Sequence, residues 1–236
     1  MKIKIVAGDI TEIKTGAIIV NFFEEMKRPS GELATIDETL GGAISRLISQ
    51  GEIKGKLNEV TLIHSLDKLP AAKVVITGLG KQAELSQDRI RGAVAETCRL
   101  LQQKQVGSIA TVAQGAGIAG ISPEGAAQAV TEGTLLGIYS FRKHITKEAD
   151  GGKIKRLLIV SSDKANLPSL EQGYHKGRIL AEATNLARDM VNEPGNYMTP
   201  SQMAETAMML AKTPRLKLNV LGREQMLELG MGALLG

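Results

Sequence analysis

The sequence predicts an α/β fold in which one sheet is covered by helices on both faces, a three-layer α/β/α arrangement. Short apolar runs typical of buried strands alternate with longer segments in which apolar residues recur every three or four positions. This alternation continues to about residue 162, so residues 1–162 are expected to form a first domain. The predicted strands are Lys2–Val6, Ala17–Val20, Val60–His64, Lys73–Thr77, Ser108–Val112 and Arg156–Val160.

Helices are predicted between these strands. One carries an apolar stripe over residues 40–48, beside the pair Gly41-Gly42. A second begins at Ser86, whose side chain suits a helix N-cap, and a third begins at Ser122-Pro123, a cap followed by a proline at the first helical position.

The residues after 162 predict less structure. Residues 163–169 are polar, contain a proline and are interpreted as a linker. A capping box at Ser169 and Gln172 then predicts a long helix, followed by a helix over Gln202–Lys212, a strand over Leu216–Val220 and a helix over Glu224–Leu229. Because one strand and three helices cannot close an α/β core, residues 163–236 are expected to be a linker and an incomplete α/β segment. The apolar stripe of the long helix is predicted to be Leu170, Tyr174, Gly177, Leu180, Ala183, Ala187 and Met190.

The long helix is expected to break at residues 192–196. Pro194 disfavours the helical conformation at the residue before it, and Gly195 and Asn196 tolerate a left-handed turn. The next helix has a clear start, because Thr199 can cap it and Pro200 suits its first position.

The composition is that of a soluble globular protein. The chain has 236 residues, a formal net charge of +4 and a single cysteine, Cys98, which is expected to be a buried structural thiol. Residues 1–6 alternate like a strand, without the apolar core of a signal peptide, and no apolar run approaches a membrane span of about 20 residues. We therefore expect a cytoplasmic protein without a membrane partner. With 3% aromatic residues and no tryptophan, nucleic-acid binding is not indicated.

Two segments contain candidate ligand-binding residues. Residues 6–11 and 17–21 resemble the opening of macro domains, modules that bind ADP-ribose, and this resemblance implies that Asp9 reads adenine. Residues 115–120 form a literal G-x-G-x-x-G loop, which resembles a macro-domain phosphate loop. Glu24 and the Phe22-Phe23 pair depart from the family pattern, and an anionic Glu24 would repel a diphosphate. The implied nucleotide or phosphate site is therefore expected to be vestigial; its residues are Asp9, Asn21, Gly115, Gly117 and Gly120.

Other chemistry-bearing residues are scattered. His64, His144 and His175 lie far apart and match no zinc-binding spacing, so they are expected to be structural or surface residues. Asp189 and Glu193 flank a helix end beside Arg188, and we interpret them as a structural network.

The whole chain resembles the leucyl aminopeptidase family, and the segment around the helix break carries the most specific likeness. Other matching segments are residues 35–42, 77–81, 132–141 and 229–235. The residues of the break segment that match the family pattern are Asn185, Arg188, Asp189, Val191, Asn192, Pro194, Asn196, Thr199 and Pro200.

The resemblance implies an amino-terminal macro-like domain joined to the start of a peptidase domain. The family removes amino-terminal residues from peptides with two divalent ions, zinc, manganese or magnesium, and assembles as hexamers. Its metal-ligand motifs are carboxyl-terminal to the point that matches Gly236, so no catalytic or metal-binding residue, no bound metal and no peptidase activity are expected for this chain alone. Two alternatives remain open: a nucleotide-binding module that takes ADP-ribose, and a DNA-binding amino-terminal domain.

Overall fold

The computed structural model describes residues 1–146, 152–212 and 216–235, and a six-stranded sheet is its main feature. All six predicted strands are confirmed, with ends that differ by at most two residues. The strands are β1 (Lys2–Ala7), β2 (Ala17–Phe22), β3 (Val60–His64), β4 (Lys73–Gly78), β5 (Ser108–Thr111) and β6 (Arg156–Ser161).

The strand order is β1-β6-β5-β2-β4-β3. Neighbouring strands run parallel, apart from the antiparallel pair of β3 and β4. Parallel neighbours require long crossover connections, and helices supply them here. Strand β1 lies at one edge of the sheet and has β6 as its sheet neighbour.

Strand β2 shows how the sheet separates two hydrophobic cores. Ile18, Val20 and Phe22 belong to one buried cluster, whereas Ala17 and Ile19 belong to the other, because successive side chains of a strand point to opposite faces. The first cluster is completed by α1 (Glu32–Thr39) and α2 (Ala43–Ser49), and the second by α3 (Gln87–Gln103), α4 (Pro123–Gly137) and the beginning of α5 (Leu167–Asn192). The predicted three-layer α/β/α fold is confirmed.

Two helices, rather than the single helix expected, lie around Gly41 and Gly42. Both glycines have a positive φ, +69° and +74°, and they separate α1 from α2. The N-cap residue of α2 is Gly42, which has no side chain, so the buried carboxylate of Asp37 on α1 caps α2 instead. Its Oδ1 accepts from the backbone N–H groups of Ile44 at 2.7 Å and Ser45 at 3.1 Å.

Glycines allow α3 and α4 to pack closely. A Cβ on Gly133 would lie 2.6 Å from the carbonyl oxygen of Arg91, and one on Gly137 would lie 2.6 Å from the Cα of Ala95. Both distances are too short for a side chain, so the two helices touch backbone to backbone.

A buried carboxylate bridges the same two helices. Glu132 on α4 is 5% exposed and accepts from Nε of Arg91 on α3 at 2.5 Å and from Nε2 of Gln128 at 2.7 Å. This partnering satisfies a charge that would otherwise be costly to bury. It also gives the Glu132-Gly133 motif a structural role.

Helix α5 differs from its prediction at its start and along its buried face. Residues 164–166 form a short 3-10 helix and α5 begins at Leu167, so residues interpreted as a linker are helical and Ser169 lies inside the helix. Its buried residues are Leu170, Gly173, Gly177 and Ala181.

The apolar stripe predicted for α5 is therefore right at Leu170 and Gly177 and wrong at Leu180, which is 46% exposed. It is also wrong at Ala183 and Ala187, which are exposed. The reason is close helix packing rather than hydrophobicity. A Cβ on Gly173 would lie 2.1 Å from the carbonyl oxygen of Glu124 on α4.

The predicted helix break is confirmed, because α5 ends at Asn192 and α6 (Pro200–Ala211) follows. The side chain of Thr199 caps α6 by accepting from the backbone N–H of Gln202 at 3.3 Å. Helices α7 (Arg223–Glu228) and α8 (Gly232–Leu235) complete the described chain.

The strand predicted over Leu216–Val220 is wrong: these residues belong to no helix or strand. A strand needs a neighbour to pair with, and residues 186–212 and 216–235 contain none.

The chain divides into two compact units, Met1–Asn185 and Leu186–Gly236. Both buried hydrophobic clusters consist of residues of the first unit. Across residues 1–146, 152–212 and 216–235, no helix is both long and apolar enough to span a membrane.

Candidate ligand site at the carboxyl edge of the sheet

The candidate site lies where β2 and β5 end side by side. The chain leaves β2 towards α1 on one face of the sheet and leaves β5 towards α4 on the other face. In open parallel sheets, such a divergence leaves a crevice at the carboxyl ends of the strands, and ligands commonly bind there. A cavity of about 360 Å³ occupies this position, a volume within the usual range for small-molecule sites.

The structure brings some of the predicted site residues together. Asn21 and Gly115 line this main cavity. Asp9 lines an adjacent cavity of about 220 Å³ that shares lining residues with the first, among them Glu32 and Ser162. Gly117 and Gly120, which were predicted from the loop motif, line neither cavity.

The glycine-rich loop is held by its own backbone. Gly115, Gly117 and Gly120 have positive φ values of +76°, +80° and +75°, which explains the spacing of the glycines. The N–H of Gly117 donates to the carbonyl oxygen of Ile121 at 2.8 Å, and the N–H of Ile118 donates to that of Gly115 at 3.1 Å. A phosphate loop works by offering backbone N–H groups to the anion, and here these two bond within the loop.

Asp9 has a local structural role. Its Oδ1 accepts from the backbone N–H of Thr11 at 2.8 Å and from the Thr11 hydroxyl at 2.7 Å. The carboxylate thereby caps the short 3-10 helix Ile10–Glu12 that follows β1. One oxygen of this carboxylate is therefore already engaged in stabilising the turn after β1.

The charge of the lining residues is acidic. Asp9, Glu32 and Asp163 line the two cavities, and no lysine, arginine or histidine is among the lining residues of either one. Asp163 also caps a 3-10 helix, accepting from the backbone N–H of Ala165 at 2.9 Å. Carboxylates without an accompanying cation disfavour a phosphate-bearing ligand.

The carboxylate predicted from the sequence to repel a phosphate-bearing ligand is not one of those that line the site. Glu24, expected to repel a diphosphate, lines neither of the two cavities and belongs to a separate surface groove beside Lys27. Phe23 does line the main cavity, whereas Phe22 faces the opposite core. Glu32 and Asp163 were missed, although their positions in a first helical turn and just after a strand could have signalled them.

The histidines lie on different structural elements. His64 ends β3 opposite Lys73, and His175 on α5 lies 3.2 Å from Glu171. The ring of His144 lies 6.0 Å from that of Phe141. Within the described ranges, no group of three or more His, Cys, Asp or Glu side chains could hold a metal ion.

Cys98 is buried, as predicted. Burial raises the pKa of its thiol to about 12, although a hydrogen bond with Thr134 acts in the opposite direction. A thiol with so high a pKa is protonated at neutral pH and is a poor nucleophile.

A backbone hydrogen bond continues the helix past the end of α5 near Asp189 and Glu193. The backbone N–H of Glu193 donates to the carbonyl oxygen of Asp189 at 3.0 Å, one residue after the end of α5. The structural network expected around these two side chains stays a prediction.

Together, the fold and the crevice define an open, mostly parallel α/β domain. Comparison with known families adds a more specific result. The model of the cytosol aminopeptidase family's N-terminal domain matches residues 19–148, and the model of its catalytic domain matches residues 185–236. The chain therefore belongs to the cytosol aminopeptidase family, and the family resemblance is confirmed.

Curated relatives extend the match over the whole chain. A probable cytosol aminopeptidase of Alkaliphilus oremlandii is 35% identical over 237 residues, which cover 100% of this chain and 47% of the relative. One from Geobacter sulfurreducens is 33% identical and is matched over the same shares of the two chains. The chain thus spans about half the length of the curated relatives it matches.

Solved structures support the fold. A mutant of tomato leucine aminopeptidase superimposes with a TM-score of 0.81 at 20% identity, covering 98% of this chain and 46% of that one. The bottromycin maturation enzyme BotP in complex with Mn gives a TM-score of 0.69 at 24% identity, covering 92% and 40%.

Proposed function

We propose that this chain forms the amino-terminal domain and the opening of the catalytic domain of a leucyl-type aminopeptidase, which hydrolyses amino-terminal residues from peptides. The order of the two family matches carries this proposal, since the N-terminal domain match precedes the catalytic match along the chain. Residues 1–162 are the amino-terminal macro-like domain of this proposal, and the first half of α5 packs on them.

Peptide hydrolysis in such an enzyme would use two divalent ions, zinc, manganese or magnesium, to activate water and polarise the scissile carbonyl. The described residues of this chain do not fit that group, because none of their acids, histidines or Cys98 form a cluster of three. The residues that bind the two metal ions would then lie in the half of the relatives that this chain does not span. We infer that the chain has no peptidase activity by itself.

The test compares two proteins in a leucine p-nitroanilide assay with added manganese or zinc. One is this chain; the other is a chimera in which the carboxyl-terminal half of the Alkaliphilus oremlandii relative follows Gly236. We expect metal-dependent turnover from the chimera and none from the chain, since losing the activated water and the Lewis acid removes several kcal/mol of barrier lowering. Metal-dependent turnover by the chain alone that is lost in Asp189→Asn would contradict the proposal.

The same chimera tests the proposed quaternary structure. We expect a cytosolic homo-oligomer, a hexamer, and light scattering coupled to size-exclusion chromatography measures its mass directly. A monomeric but active chimera would refute the proposed hexamer and would leave the proposed peptidase function unaffected.

We further propose that the crevice lined by Asp9, Asn21 and Gly115 is a vestigial nucleotide site that binds no ADP-ribose, with Gly117 and Gly120 retained only for the shape of the loop. The acidic lining and the internal hydrogen bonds of the glycine loop support this. Titration calorimetry with ADP-ribose should give no measurable heat of binding. A dissociation constant near 1 μM, about −8 kcal/mol, would refute it and support a nucleotide-binding module.

A further inference from the structure

Strand β3 is the edge strand of the sheet at the end opposite β1. Its hydrogen bonds to the β4 side are fixed at both ends of the strand. The N–H of Ser65 donates to the carbonyl oxygen of Ala72 at 3.1 Å, and the N–H of Gly78 donates to that of Glu59 at 2.7 Å. In an antiparallel pair, successive residues direct their backbone groups to alternate sides. The odd-numbered residues of β3 therefore face β4, and the even-numbered ones face outward.

The outward-facing backbone groups of β3 belong to Val60, Leu62 and His64. Across the part of the chain that the structure describes, no hydrogen bond is made to the N–H or C=O groups of these residues. Edge strands are usually protected by charged side chains or prolines. Strand β1 carries two lysines, whereas β3 contains no proline and no acidic or basic residue apart from His64. The outer edge of β3 is therefore open to another strand.

The turn after β3 presents an apolar side chain in a strained conformation. Leu66 and Asp67 both have a positive φ, +50° and +61°, and the N–H of Lys68 donates to the carbonyl oxygen of Ser65 at 3.1 Å. These are the features of a type I′ turn, in which asparagine, aspartate and glycine are the favoured central residues. Leu66 is nevertheless 79% exposed. Neither the turn geometry nor burial within this chain accounts for a leucine at this position.

We propose that β3 is a docking edge whose occupant is β3 of a second copy of this chain, paired antiparallel across a twofold axis. Leu62 of one copy lies opposite Leu62 of the other, and Val60 lies opposite His64. This register sets outward residues against outward residues, so each of the three forms a hydrogen-bonded pair. The inference does not depend on the proposed function.

Two observations select a second copy as the occupant. An antiparallel pair brings the end of one strand beside the start of the other, so the exposed Leu66 approaches the segment that precedes β3 in the second copy. That segment contains Leu57, another exposed leucine, and the twofold axis repeats the contact. Self-pairing also brings no like charges together within the strand, because His64 meets Val60. Strand β1 of another copy would instead oppose pairing through its two lysines.

Cysteine cross-linking tests the register. In Leu62→Cys the two introduced thiols face each other across the twofold axis, with Cα atoms about 5.5 Å apart, a distance that a disulfide spans. In His64→Cys, the matched control, the two cysteines are four residues out of step and about 14 Å apart, which is too far. Cys98 is buried and does not compete. We expect mild oxidation to cross-link Leu62→Cys into a dimer and to leave His64→Cys without a cross-link.

Sedimentation velocity of the full chain tests the hydrogen bonds. His64→Pro removes an outward N–H group from each copy, whereas His64→Ala removes the same side chain and keeps the N–H. Proline is tolerated on an edge strand where the N–H faces outward, and circular dichroism checks that both variants keep their fold. We expect a dimer whose dissociation constant rises about tenfold or more in His64→Pro and changes by no more than about twofold in His64→Ala.

A second pair of variants leaves the sheet unchanged. Leu66→Glu places a charge on the turn after β3 and should also weaken the dimer about tenfold or more. Ile179→Glu makes the same kind of change at an exposed position on α5 and should have no more than about a twofold effect.

Four results would overturn the proposal. The chain could remain monomeric up to its solubility limit, or Leu62→Cys and His64→Cys could cross-link equally. A dimer weakened by Ile179→Glu and unaffected by Leu66→Glu would place the contact elsewhere on the surface. Open-ended filaments in place of dimers would identify β1 of another copy as the occupant.

Discussion

The two units of the chain follow the same local rules and end with different amounts of buried surface. Ser86 in the first unit and Thr199 in the second each cap a helix with a side-chain oxygen. Among the residues that the structure describes, however, a sheet covered on both faces is found only in the first unit. In the second, Met209 is 60% exposed and Leu227 is 69% exposed. Caps and breaks are thus enough to place helices, but burial of their apolar faces requires the rest of a domain.

The largest expected effect tests whether close backbone packing holds the first unit together. Gly173→Ala puts a methyl group 2.1 Å from the carbonyl oxygen of Glu124, and we expect a loss of about 3 kcal/mol in the free energy of unfolding. In an open helix the same change would stabilise, so the sign itself is informative. Urea unfolding followed by circular dichroism measures it.

The matched control is Gly195→Ala in the second unit, where a Cβ would meet nothing within 4 Å. We expect a change within about 0.5 kcal/mol, as for ordinary surface substitutions. If the two substitutions had equal effects, the contrast between the units would be wrong.

A smaller loss in the free energy of unfolding is expected when the carboxylate that caps α2 in the first unit is removed. Asp37→Ala leaves the N–H groups of Ile44 and Ser45 without their acceptor, and we expect a loss of about 2 kcal/mol. Glu38→Ala changes the exposed neighbour on the same helix and should be nearly neutral. Differential scanning calorimetry of both variants makes the comparison, and similar melting temperatures would argue against the capping role.

The smallest effect is expected from removing the second unit. The measured quantity is the rate at which Cys98, which lies in the first unit, is alkylated. A chain that ends at residue 185 should label with iodoacetamide at the parent rate within about twofold, because the thiol is buried inside the first unit. A chain that ends at residue 162 lacks Leu170 and Gly173 against α4 and should label faster. Equal protection in all three chains would show that residues 1–162 are a complete domain without α5.

The same thiol gives the first unit a pH dependence. Its pKa is raised from 9.0 to about 12 in the folded protein, so the unfolded chain loses the proton first as the pH rises. The unfolding free energy should therefore fall between pH 9 and about 12, by less in Cys98→Ala than in the parent chain.

The strands could be predicted because β2, β4 and β5 are buried on both faces, which leaves short continuous apolar runs in the sequence. Helix α1 was missed because its eight residues include only three buried ones, and one of these is the carboxylate Asp37. The buried face of α5 was misjudged because it includes Gly173 and Ala181, small residues that pack closely and that the predicted stripe omitted.

The candidate site was predictable where a residue lies at the end of a strand and, for Gly115, from the glycine-rich loop motif. Asp9 and Asn21 follow or end β1 and β2, and both line the carboxyl edge of the sheet. Glu32, the first residue of α1, and Asp163, just after β6, reach the same place from elements that are distant in sequence, so the net charge of the crevice depends on tertiary structure. For the same reason the segment 216–220 has the pattern of a strand but does not form one.

The edge position of β1 also affects how the protein is made. Its sheet neighbour β6 begins at Arg156, so β1 leaves the ribosome well before the strand with which it pairs. During that interval it is a lone strand with open hydrogen-bonding groups, a form prone to aggregate with other nascent chains. Lys2 and Lys4 alternate with Ile3 and Ile5 along it, and both lysines remain exposed in the folded protein. Charges at alternate positions on an edge strand oppose pairing with the wrong chain, so we expect these two lysines to disfavour mispairing of β1 before β6 is synthesised.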